Sequence, residues 1–132
     1  MFRYTFGYLA VLFTLLAGDA AWLSYFAPAV FRPTLGDILL AHPRWAAAIV
    51  FYLLYSAGIL AFPVALAARQ SSWLLAIAYG AAFGFLAYMT YDLTNLATIK
   101  VWNISLAMTD IGWGTVLTCA ATLVGFEVIK SL

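Results

Sequence analysis

Residues 73–95 read WLLAIAYGAAFGFLAYMTYDLTN, and their reading decides the fold. A helix needs ~20 apolar residues to cross the ~30 Å hydrocarbon layer of a membrane. This stretch meets that length and carries no charge until Asp92. Three more stretches of the same kind surround it, at about 4–26, 45–68 and 104–129. Together the four spans use most of the chain, so 1–132 is expected to be one membrane domain: an all-α, integral membrane four-helix bundle.

The composition agrees. Of 132 residues, 67% are apolar and 8% charged, against about half and about a quarter in soluble domains. A net charge of +1 gives no electrostatic footprint for nucleic acid. A single cysteine, Cys119, and a single histidine, His42, exclude an intrachain disulfide, a classical His/Cys metal site, bis-histidine haem and an iron–sulfur cluster within one chain. No metal is assigned, and the cofactor is unknown.

Punctuation between the spans is clear. Pro28, Arg32-Pro33, Asp37 and His42-Pro43-Arg44 separate spans one and two. Within that segment Thr34-Leu-Gly-Asp37 sets a capping residue before Ile38-Leu39-Leu40, which predicts a short interfacial helix there. Arg69 to Ser72 is a polar turn, and Asn103 is a suitable N-cap for span four. Pro63 should bend span two. The first span is longer than a signal-peptide core and reads as a retained helix.

An even number of spans places both ends of the chain on one side, here the near side, with Arg3, Arg69 and Lys130. The far side carries Arg32, Arg44 and Lys100. The tie leaves orientation open under the positive-inside rule, with Arg3 beside the first helix favouring a cytoplasmic N-terminus. Trp45, Trp73 and Trp102 lie at span ends, where an aromatic belt is enough to explain them.

Gly80-x-x-x-Gly84 is a pattern that lets helix backbones approach closely, and Gly112 and Gly114 offer span four a similar patch. Packing inside the chain is favoured over a homodimer, which stays open. Gly84→Leu is expected to damage folding more than a substitution at Ala76.

The carboxylates ask for a reason, since a charge within a span costs ~2.5–3.5 kcal/mol on insertion scales. Asp19 and Asp110 each lie about seven residues from the far end of their spans, or ~10 Å deep. Asp92 lies near the far end of span three, where it should be the most readily solvated of the three. Alternating helix direction brings all three to one level. Tyr52, Tyr55, Tyr88, Tyr91 and Asn95 fall there too, with Arg44 placed to reach down from above. Asp19-x-x-Trp22 and Asp110-x-x-Trp113 each set an acid and an indole on one helix face, so each ring could shield or donate to its own acid. If Asp19 and Asp110 form one site, Tyr52 or Asn95 should bridge them.

Tyr88-Met-Thr-Tyr-Asp-Leu-Thr-Asn-Leu-Ala-Thr98, with Asp19-x-x-Trp22, Phe51-Tyr52-x-x-Tyr55, Gly80-x-x-x-Gly84 and Asp110-x-x-Trp113-Gly-Thr115, resembles domain of unknown function 2177, a family of small bacterial membrane proteins. The resemblance covers nearly the whole chain. It implies a four-helix protein of the bacterial inner membrane, with no established activity and no residue roles to carry over. Family members are often encoded beside fatty-acid-modifying functions, which implies a lipid-related role.

Three function classes follow. An intramembrane carboxylate/aromatic site could bind or modify a lipid or other amphipathic substrate, since clustered acids share protons, and three acids could hold a hard cation such as Mg²⁺. No nucleophile motif or phosphate loop accompanies them, so enzyme activity is left open. The alternatives are a small proton- or cation-coupled transporter with aromatic walls and a non-catalytic accessory subunit of a membrane complex. Membrane lipids are the expected partners.

Overall fold

A computed structural model describes all 132 residues, and every regular element in it is helical. Four helices are long and apolar enough to cross a membrane: α1 (Phe2–Tyr25), α3 (Trp45–Arg69), α4 (Trp73–Thr98) and α5 (Ile104–Ser131). A shorter helix, α2 (Ala27–Leu35), lies between the first two.

α5 is the centre of the bundle. Of its most apolar stretch 44% is buried, against 17–22% in the other three. It packs most extensively against α4 and next against α1, while α3 packs to a similar, smaller extent on α1, α4 and α5. The seam between α4 and α5 is set by glycine. A Cβ at Gly84 would come within 2.6 Å of the Gly114 carbonyl oxygen, and one at Gly114 within 2.0 Å of the Tyr88 ring. Gly80 meets Thr122 in the same way. The Gly80/Gly84 row is therefore used inside the chain. Gly112 faces open space and takes no part. Ala76, expected to be the tolerant comparison, is fully buried with Ala67 and Phe126, so it is a core position instead.

Pro63 has its effect. It removes a backbone donor, and the chain widens to a π-helical turn at Leu60–Val64 before the helix resumes. Asn103 caps α5 by accepting from the Leu106 N–H at 2.8 Å.

The short helix departs from expectation in its position. It starts at Ala27, straight after α1, and ends where it was expected to begin; Gly36–Ile38 is a single 3-10 turn. Pro28 was read as a break, yet it stands in the first turn, where the missing N–H would have had no helical partner. Pro33 is accommodated in the last turn. Leu35 then buries against Trp102, Leu106 and Ala107, with Val30, Phe31, Leu96 and Ile99 around them. α2 thus folds over the far ends of α4 and α5 as a cover.

Candidate functional site

Beneath that cover the three acids meet at one level. Asp19 is held by two donors from two other helices. The Tyr52 hydroxyl donates to one carboxylate oxygen at 2.6 Å, and the Trp113 indole N–H donates to the other at 3.0 Å. The indole–acid motifs are therefore crossed: Trp113 serves the acid of α1, not its own neighbour Asp110. Trp22 does not donate to an acid. It stacks flat on Trp113 at 4.9 Å and 9°, and on Phe26 at 5.0 Å. The two indoles join α1 to α5.

Asp110, 7% exposed, has a different environment. No side chain donates a well-formed hydrogen bond to it, and it lines two cavities at once. The first, about 480 Å³, is bounded by Asp19, Trp22, Tyr52 and Trp113 on the bundle side and by residues of the cover, including Phe31 and Arg32, on the other. The second, about 350 Å³, is apolar, with Phe51, Tyr55 and Ala87 in its wall. Tyr88 and Tyr91 line both. Asp110 stands where a chamber of mixed lining meets a more apolar one.

Asp92 was expected to be the best solvated acid and is the most enclosed, with no exposed surface. Neither of its oxygens has a hydrogen-bond partner. Its polar neighbours are Asp110 and the Trp102 indole, whose N–H also lacks a partner. The α2 cover and the folded-back Trp102 are the reason: counting residues to the helix end takes no account of a lid. Trp102 itself is 7% exposed and packs edge-on to Tyr91 at 5.6 Å, so it is a buried part of this region and not a belt residue.

Two further expectations do not hold. Arg44 is exposed at the start of α3 and lines neither cavity; the far-side cation in the wall is Arg32. Asn95 stays beside Tyr91 on its own helix and does not bridge Asp19 to Asp110. The tyrosines order the site. Tyr55 shares a 2.7 Å hydrogen bond with Thr118, and Phe51 stacks on Tyr55 at 5.2 Å. No three carboxylates converge on a cation position. Reading α2 as loop hid Arg32 and Phe31, although Pro28 in a first-turn position was the available signal. Thr118 carried no signal at all, because a lone threonine in a span usually bonds its own helix.

Neither characterised proteins nor solved structures provide a match to the chain. The family model described as a predicted membrane protein (DUF2177) matches residues 4–127, nearly the whole chain, and the protein is a multi-pass membrane protein of that family.

Proposed function

We propose that the paired cavities bind an amphipathic molecule with an ammonium or similarly donor-rich head. The observation that carries this reading is Asp110, a carboxyl beside Asp92 with no tyrosine or tryptophan donor, at the junction of a mixed cavity and a more apolar one. Several of the other polar groups are already engaged. Tyr52 and Trp113 spend their protons on Asp19, and Tyr55 pairs with Thr118. Asp110 is the charged group that faces both cavities, and it complements a head that donates; the Tyr88 hydroxyl beside it can donate or accept. Aromatic faces add affinity for a cation, and the apolar cavity beside Phe51 accepts the tail. Arg32 at the cover suits an anionic group nearer the surface, as in a zwitterionic lipid head.

Tryptophan fluorescence tests this directly, because Trp22 and Trp113 form part of the wall. Two amphiphiles with the same brominated tail, one ammonium-headed and one sulfate-headed, are titrated into detergent-solubilised protein. The ammonium compound should saturate quenching at roughly tenfold lower concentration, about 1.4 kcal/mol. Asp110→Asn should remove that preference, and Trp22→Phe with Trp113→Phe should remove the saturable signal. Equal potency of the two heads, or an unchanged preference in Asp110→Asn, would overturn the reading.

A further inference from the structure

At the opposite end of the bundle, the three near-side cations converge. Arg3 from the start of α1, Arg69 from the end of α3 and Lys130 from the end of α5 line one pocket of about 530 Å³ with Ser71, floored by Phe126 and Ile129. Residues that are 66 and 127 positions from Arg3 in sequence thus share one wall with it (69 − 3 and 130 − 3). No Lys or Arg in the chain lies within 4.0 Å of a carboxylate. Arg3 lies over the Tyr4 ring at 5.2 Å and Lys130 over Phe126 at 5.7 Å, so their charge is held at the pocket by aromatic faces and not neutralised by acids.

The pocket continues into the membrane. Tyr4 and Ala65 belong both to it and to a second, largely apolar groove of about 510 Å³ between α1 and α3. Ala57, Ala61 and Ala65, one turn apart, leave that face of α3 flat. The π-helical turn at Leu60–Val64 lies within the same stretch. From Ala65 to Ala57 the groove follows the helix for ~12 Å. The Tyr8 hydroxyl marks its deep end, where it donates to the Leu53 carbonyl at 3.0 Å and ties α1 to α3.

We infer that this near-side pocket and groove bind an anionic phospholipid, its phosphate among Arg3, Arg69 and Lys130 and one acyl chain along Ala65, Ala61 and Ala57. Phosphate is the chemistry that three unpaired cations match. The groove identifies its source as a lipid, since a free phosphate has no use for an apolar channel leading away from the charges. The inference is independent of the far-side cavity.

Native mass spectrometry of the detergent-solubilised protein provides the test, with phosphatidylglycerol, phosphatidylcholine of the same chains and inorganic phosphate as probes. In the Asp110→Asn background, which removes the far site's hold on an ammonium head, phosphatidylglycerol should bind at least tenfold more tightly than phosphatidylcholine. Each of Arg69→Gln and Lys130→Gln should weaken it roughly fivefold, the size expected for one basic side chain beside an anionic lipid. Ala61→Leu, which fills the groove and leaves the charges, should weaken both lipids and leave phosphate competition unchanged. Asp110→Asn should leave phosphatidylglycerol binding as in the parent, and any phosphatidylcholine that it releases belongs to the far site, which separates the two sites. Circular dichroism melts of the Gln variants should match the parent, since both cations are exposed. Equal affinity for the two lipids, an unchanged preference in both Gln variants, or phosphate competing fully while Ala61→Leu has no effect would each overturn the inference.

Discussion

At the far end of the bundle Asp19, Asp92 and Asp110 lie between helices, beneath α2; at the near end Arg3, Arg69 and Lys130 stand at helix termini around an open pocket. Side-chain length accounts for the contrast. An aspartate carries its charge one methylene from the backbone, so where the backbone is buried the carboxylate is buried too. It must find donors in place or go without, as Asp19 and Asp92 respectively do. Arginine and lysine carry theirs on long stems that reach the interface from a helix end. The far end consequently depends on tertiary neighbours for its chemistry, and the near end depends mainly on where the helices stop. Substitutions should therefore be felt much more at the far end.

The largest effect should come from the glycine seam that supports the far cavities. Gly114→Ala drives a methyl into the Tyr88 ring and should cost about 3 kcal/mol, the upper range for overpacking. Its near-end counterpart, Gly7→Ala, meets side-chain carbons of Ile129 at 2.8 Å and Leu60 at 3.3 Å, a milder clash than a ring at 2.0 Å, and should cost about 1 kcal/mol. Detergent melting curves of the two variants compare the ends directly. Similar midpoints would mean that the α4–α5 seam can open and that the two ends are equally tolerant.

Next in size is Asp19→Leu, which strands the Tyr52 hydroxyl and the Trp113 indole and should cost about 2 kcal/mol. Asp19→Asn keeps the shape and one acceptor, so it should cost roughly half as much. A Leu variant as stable as the Asn variant would show that the two donors find other partners. Asp92→Leu should go the other way. It removes a buried carboxyl that has no hydrogen bond, and the protein should gain about 1 kcal/mol. Loss of stability in Asp92→Leu would instead show that Asp92 and Trp102 support each other.

The smallest effect should be at the near end. Arg69→Gln removes an exposed charge without an ion pair, and its melting midpoint in neutral detergent should stay within ~0.5 kcal/mol of the parent. A larger change would mean that the near-end cations hold the bundle together, and the contrast between the two ends would shrink.

The sequence shows the four spans through their length and apolarity, because a helix in lipid must satisfy its own backbone and therefore declares itself locally. By the same reasoning it shows the common depth of Asp19, Asp92 and Asp110, which needs only counting from the span ends. It also marks the Gly80/Gly84 row and the kink at Pro63. Which partner each acid receives is decided elsewhere. Trp113 serves Asp19 across the α1–α5 interface; Trp102 turns inward beside Asp92; Arg32, not Arg44, joins the wall. These follow from helix rotation and from α2 folding over the far end. A span's apolar face meets lipid and protein with nearly equal ease, so periodicity says little about which way a transmembrane helix turns. Close packing at Gly84 and Gly114 fixes the rotation of α4 against α5, and the Trp113–Asp19 contact ties α1 to that same helix.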